Sequence, residues 1–152
     1  MTNLSGNSVS RVWTDGRYHW KEQPKHLADN EWYALNIMRS TGYVPDATRV
    51  NDTTIQMETI INEGITDETL FRDLCFVFLK CMQGRQLRHG DLTPPHIFVI
   101  KNSPVVIDWA ESRMIDDPRP DKRREGDRHW LEQSIENIIG VQRASAPNVG
   151  AD

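Results

Sequence analysis

His89-Gly90-Asp91-Leu92 and Ile107-Asp108-Trp109 are the two stretches whose reading decides the fold. The first reads as a polar loop that feeds a short apolar strand, Ile97 to Ile100. A turn, Lys101-Asn102-Ser103-Pro104, leads to a second strand, Val105-Val106-Ile107, and Asp108 stands at its end. A hairpin of this kind brings Asp91 and Asp108 to the mouth of one cleft. Phosphoryl transfer uses such a pair: one carboxylate orients the attacking hydroxyl, and one holds the metal that bridges the phosphates.

Toward the N-terminus, Val9-Ser10-Arg11-Val12-Trp13 alternates as a strand does. Asp15-Gly16 is a hairpin turn, and Tyr18-His19-Trp20-Lys21 is the return strand. Leu27 to Ser40 has helical character, with Trp32, Leu35 and Met38 at spacings of three, and Gly42 and Pro45 mark its end. A second strand pair is expected over Ala47 to Val50 and Thr54 to Ile60. The spacing then predicts a helix with Thr66 as N-cap, running to about Met82. Its buried face would be Leu70, Phe71, Leu74, Phe78 and Met82. A last helix is expected from about Asp127 to Ile139, with Trp130, Leu131, Ile135, Ile138 and Ile139 as its apolar positions.

Composition bounds the class. With 152 residues, 38% of them apolar and 26% charged, the chain reads as one soluble globular domain. It holds no apolar run of the length a membrane span needs, and no basic-then-apolar N-terminal segment, so neither a span nor a secretory signal is expected. A net charge of −4 argues against general nucleic-acid binding. Cys75 and Cys81 point to different faces of one predicted helix. Two free thiols suit a reducing compartment, and the cytoplasm is the expected location. Residues 142–152 are rich in Ala, Ser, Pro and Gly and read as a disordered tail.

At His89-Gly90-Asp91 and Ile107-Asp108-Trp109 the sequence resembles the protein-kinase-like superfamily. It is most similar to the atypical branches: RIO kinases, aminoglycoside phosphotransferases and lipopolysaccharide kinases. The two aspartates stand 17 residues apart, about the separation that superfamily keeps. The resemblance implies an α+β, two-lobed fold. Residues 1–60 would form a small antiparallel sheet with one helix, and residues 61–141 a reduced helical lobe carrying the catalytic loop. It further implies that Asp91 is the catalytic residue and Asp108 the metal ligand. Lys21 would contact phosphate, held by Glu31. Met57-Glu58-Thr59 would be the hinge, with Glu58 and Thr59 contacting adenine through their backbone. Ser5 and Gly6 would belong to the loop that covers the nucleotide, although Leu4 to Ser8 holds one glycine where many kinases have three. His89 would be a scaffold for the loop, and Asp127 would brace it. ATP with Mg²⁺ or Mn²⁺ is the implied cofactor set.

One position departs from that pattern. His96 stands where the superfamily has an asparagine that holds a second metal. Imidazole suits manganese or zinc better than magnesium. His96 either ligates the metal or hydrogen-bonds Asp91 or Asp108 without one. Other site residues also have plain structural readings: aspartates cap turns, Lys21 suits a solvated strand, and Glu31 suits a helix start. Asp116 to Glu125 reads as a solvated loop in the place of the activation segment, and Lys122, Arg123 and Arg124 offer a basic receptor for an acidic or phosphorylated substrate.

The expected function is ATP-dependent phosphotransfer to a hydroxyl, on a protein rather than a small molecule, because little sequence remains for a substrate lobe. Two alternatives stand beside it. One is an inactive pseudokinase acting as a protein-binding module. The other is a small-molecule phosphotransferase completed by dimerisation.

Overall fold

The computed structural model describes the backbone of residues 2–3 and the whole of residues 10–145. Ser5 and Gly6, and with them the expected covering loop, lie outside the described residues, as do residues 146–152. Strands β1 (Thr2–Asn3), β2 (Arg11–Thr14), β3 (Tyr18–Glu22), β4 (Ala47–Asn51) and β5 (Thr54–Glu58) form one antiparallel sheet in the order β1-β2-β3-β5-β4. The β2–β3 turn is built by Asp15, whose Oδ1 accepts the amides of Arg17 and Tyr18 at 2.9 and 2.8 Å. Lys21 sits on the central strand, opposite Val12 on one side and Ile55 on the other.

Helix α1 (Lys25–Met38) follows β3. It buries Ala28, Glu31, Ala34, Leu35 and Met38, one stripe at helical spacing with a single charged member. A short 3₁₀ turn (Arg39–Thr41) continues it, and Gly42 ends it at φ +81°, a left-handed conformation glycine reaches without steric cost.

Helix α2 (Glu68–Gly84) differs from the sequence expectation at its start and on its face. Asp67, not Thr66, is the N-cap, accepting the Leu70 amide at 3.0 Å. Thr66 is taken up elsewhere: its amide and that of Asp67 donate to Asn102 Oδ1 at 2.8 and 3.0 Å. The buried stripe is Phe71, Cys75, Phe78, Leu79 and Met82, while Leu70 is exposed and Leu74 half-buried. The helix is rotated so that the small Cys75 faces the core at the position expected for its neighbour.

After the short strand β6 (Leu87–Arg88) comes the hairpin of β7 (Ile97–Ile100) and β8 (Ser103–Val106). Its turn is tighter than the four residues expected. Lys101 and Asn102 alone make it, both at positive φ (+52° and +63°), the two-residue geometry that matches strand twist. β6 pairs with β9 (Arg113–Met114), and helix α3 (Gly126–Ser145) closes the chain's described part.

α3 runs past the expected Ile139, so residues 142–145, assigned from composition to a tail, are helical. Two contacts hold this last turn. Gln142 bonds both the amide and the carbonyl of Ile65 at 2.5 Å, and Arg143 pairs with Glu68. A chain of edge-to-face aromatic contacts links Tyr43 to Phe78, Phe78 to Trp109 and Trp109 to His89, at centroid distances of 5.6, 6.2 and 4.5 Å. The core therefore reaches directly to the loop that carries Asp91. Among the described residues no helix is long and apolar enough to cross a membrane.

Candidate active site

The loop from His89 to Thr93 is fixed from both sides. Asp127, in the first turn of α3, accepts the His89 amide on Oδ2 at 2.8 Å and the Gly90 amide on Oδ1 at 2.9 Å. The His89 ring is fully buried. Its Nε2 donates to the Ile107 carbonyl at 2.9 Å and its Nδ1 accepts the Asp91 amide at 3.1 Å. Burial holds this imidazole below its ordinary pKa, so it is neutral and serves as a bracket between the loop and the end of the hairpin.

Asp108 follows that hairpin at φ +60°, in the left-handed region that aspartate tolerates better than most residues. Its Oδ1 accepts Lys21 Nζ at 2.9 Å, and its Oδ2 lies 3.0 Å from His96 Nε2. Lys21 is itself buried and bridges to Glu31 Oε1 at 3.1 Å. Burial works against the Lys21 ammonium, but the charges of Glu31 and Asp108 outweigh it and hold the pKa above the usual lysine value. For Asp108 burial likewise opposes the charge, and the His96 hydrogen bond and Lys21 outweigh it, holding the carboxyl well below the usual range. The group is an anion under all ordinary conditions.

His96 joins the two aspartates. It sits in a 3₁₀ turn (Pro94–His96) whose two prolines fix φ. Its Nδ1 donates to the Asp91 backbone carbonyl at 2.8 Å while Nε2 faces Asp108. Burial lowers its pKa, but the hydrogen bond to Asp108 and that carboxylate's charge prevail, and the net shift is upward. One ligand atom each from Asp91, His96 and Asp108 lies within 4.8 Å of the others. A mixed oxygen and imidazole set of this size fits a divalent cation: Mn²⁺ by its nitrogen, Mg²⁺ if a carboxylate and phosphate oxygens do most of the holding.

Glu31 is fully buried, not on the helix surface. Beyond Lys21 it takes Gln23 Nε2 at 2.8 Å and the Trp109 backbone amide at 2.7 Å. Neither partner was expected from sequence; Gln23 has no motif to mark it. The sequence leads one to expect Lys122, Arg123 and Arg124 as a basic receptor on a solvated loop, but the first two are engaged. They reach Asp91: Arg123 Nε lies 2.8 Å from Oδ1 and Lys122 Nζ 3.2 Å from Oδ2. Burial raises the Asp91 carboxyl, and these two cations overcome it and bring the net shift down.

A cavity of about 150 Å³ opens here, lined by Lys21, Gln23, Asp91, Asp108, Glu111 and Lys122 among others. The structure thus gathers Lys21, Glu31, Asp91, His96 and Asp108, with His89 and Asp127 directly behind them. Glu58 ends β5 and Thr59 follows it. The Glu58 amide donates to the Asp46 carbonyl at 2.9 Å and the Thr59 amide to Arg17 at 3.1 Å. Both N–H groups are therefore already engaged by neighbouring backbone carbonyls.

Comparison with known proteins agrees with this fold. Residues 7–146 match the RIO domain. The fold superposes on the Rio2 kinase of Chaetomium thermophilum, solved as an ADP/Mg²⁺-phosphoaspartate complex. The TM-score is 0.63 and the identity 14%, over 97% of this chain and 57% of that one. A second structure of the same kinase gives 0.62 at 15% identity, over 88% of this chain and 53% of the other. The ADP-bound aminoglycoside phosphotransferase APH(2'')-Ib gives 0.57 at 13% identity, covering 74% of this chain and 66% of that one. The chain therefore spans little more than half the length of the Rio2 kinase it matches. No curated protein matches the sequence. With the RIO domain extending over nearly all of it, the chain belongs to the RIO-domain family, in the atypical branch of the protein-kinase-like superfamily.

Proposed function

We propose that the chain is an ATP-dependent phosphotransferase acting on a hydroxyl. The observation that carries this is the continuous charge chain Glu31–Lys21–Asp108–His96, which ends 3.9 Å from an Asp91 carboxylate oxygen, with Lys21, Asp108 and Asp91 lining one cavity. Lys21, held by Glu31, is positioned for the α- and β-phosphates. Asp108, with His96 as second donor, would hold Mg²⁺ or Mn²⁺. The bound cation would neutralise charge on the β- and γ-phosphates. Asp91 orients the acceptor hydroxyl and takes its proton as the new P–O bond forms, and the bond to the ADP oxygen breaks. His89, Asp127 and the prolines of the 94–96 turn keep Asp91 in place, so that preorganisation and charge supply most of the rate.

For the acceptor we favour a protein side chain. Small-molecule sites run to roughly 300–1,000 Å³. The cavity around Asp91 holds about 150 Å³ and must also admit the phosphates, which leaves room for the tip of a hydroxyl-bearing side chain. One observation favours a second reading, a silent protein-binding module: both Asp91 carboxylate oxygens are already engaged by cations.

The test is thermal unfolding with ATP in Mg²⁺ and in Mn²⁺, for wild type and Asp108→Ala, followed by transfer of radiolabelled phosphate to protein acceptors. Ligand at about 100 times its Kd stabilises by roughly 2.7 kcal/mol. A metal-dependent shift that vanishes in Asp108→Ala, with label transfer that needs Asp91, is expected. No shift under any condition would leave the binding-module reading in its place.

A further inference from the structure

The clamp on Asp91 holds two cations with different attachments. Arg123 is anchored three ways: Nε to Asp91 Oδ1 at 2.8 Å, its amide to the Gly90 carbonyl at 3.3 Å, and its guanidinium over the Trp130 ring at 5.0 Å. It fastens the segment to the catalytic loop. Lys122 reaches Asp91 Oδ2 at 3.2 Å with its side chain 51% exposed. A half-exposed pair of this kind is worth little and is easily exchanged. Lys122 also walls the same cavity as Lys21 and Asp108. Lys21 is buried and tied to two carboxylates, so it has no such freedom.

An acceptor hydroxyl needs a carboxylate oxygen of Asp91 to donate to. Arg123 holds Oδ1 firmly, so Oδ2 is the oxygen to be vacated. The ammonium that leaves it needs another anion within reach. On the phosphotransferase reading, on which this inference rests, that anion is the γ-phosphoryl group, brought into the same cavity by Asp108 and Lys21. A lysine ammonium, a rotatable point charge on a flexible stem, suits this exchange. We propose that Lys122 couples the two substrates of the site: it caps Asp91 until the triphosphate arrives, then turns to the γ-phosphoryl oxygens and frees Asp91 Oδ2 for the acceptor. Asp91 is thereby shielded until there is a phosphoryl group to transfer.

The experiment is titration calorimetry in Mg²⁺ with ADP and with a non-hydrolysable ATP analogue, on the full chain. It compares wild type, Lys122→Met and Lys122→Arg, with unfolding midpoints measured in parallel. A charge-assisted contact to the γ-phosphoryl group predicts about tenfold weaker analogue binding in Lys122→Met, with ADP affinity kept within about twofold. Lys122→Arg should recover most of the loss. Unchanged binding of both nucleotides in Lys122→Met overturns the proposal and leaves the phosphotransferase reading standing. An equal loss of both also overturns it, since Lys122 would then be acting structurally. If wild type binds neither nucleotide, the proposal and the phosphotransferase reading fall together.

Discussion

Glu31 Oε2 accepts the backbone amide of Trp109 at 2.7 Å. Its other oxygen takes Lys21 at 3.1 Å. One buried carboxylate therefore ties α1 both to the central strand and to the residue that follows Asp108. Glu31→Ala removes one of the two carboxylates that pair the buried Lys21 and leaves a buried amide without its side-chain acceptor. Breaking a buried pair costs roughly 3–5 kcal/mol, and the remaining Asp108 contact puts the expected loss near the lower end. Urea denaturation reads it directly. Glu31→Gln keeps an acceptor for Trp109 and should lose less. A Glu31→Ala variant as stable as wild type would contradict this account.

Gly90 carries two constraints that separate experimentally. Its φ is +87°, and an added Cβ would meet the Glu111 carbonyl oxygen at 2.8 Å, a backbone atom with little room to move. Gly16 has φ +92° with nothing within 4 Å of an added Cβ. Gly16→Ala should therefore cost only backbone strain, about 1 kcal/mol. Gly90→Ala should cost that and the clash, roughly 2–4 kcal/mol, and displace Asp91. Equal losses in the two variants would show that the Glu111 carbonyl yields without cost.

Asp127 is expected to act through the loop and not through the nucleotide. Its two oxygens hold the His89 and Gly90 amides. Asp127→Ala leaves both amides without a side-chain acceptor and should cost about 1–3 kcal/mol, with phosphate transfer falling further than nucleotide affinity. Asp127→Asn keeps one acceptor and should fall between. Calorimetric nucleotide affinity that drops as steeply as turnover would place Asp127 in a different role.

Local signals made the hairpin from Ile97 to Val106 legible: apolar runs bounded by turn residues fix both strands. Asp91 and Asp108 were legible with it, because they flank it. Lys21 and Glu31 were found through the resemblance and not through any periodicity. What the sequence hid is tertiary. Nothing local says that Glu31 reaches the Trp109 amide 78 residues on, or that Lys122 and Arg123 fold back on Asp91 across 31 and 32 positions. The face of α2 was misjudged at Leu74 because apolarity favours leucine there. The core instead takes the smaller Cys75. The Glu58 and Thr59 amides look available in sequence and are taken by the carbonyls of Asp46 and Arg17, which precede β4 and β3.

Cys75 gives a pH dependence with a definite sign. It is fully buried on α2, and burial pushes its thiol up to about 12. The unfolded thiol ionises near 8.5. Below that pH both states keep the proton and Cys75 adds no slope. Above it the unfolded chain releases a proton that the folded chain retains. Stability therefore falls as pH rises from about 8.5 toward 12, by up to about 1.4 kcal/mol per unit. Cys75→Ala lacks this proton and should lose less stability between pH 8 and 10 than wild type, although its cavity makes it less stable at pH 7. Denaturation midpoints of both proteins across that range give the comparison. Thiol titration gives a second reading: half-buried Cys81 should react in the native protein and Cys75 only as it unfolds. Parallel pH profiles for the two proteins, or equal native reactivity of the two thiols, would mean that Cys75 is not sealed in the core.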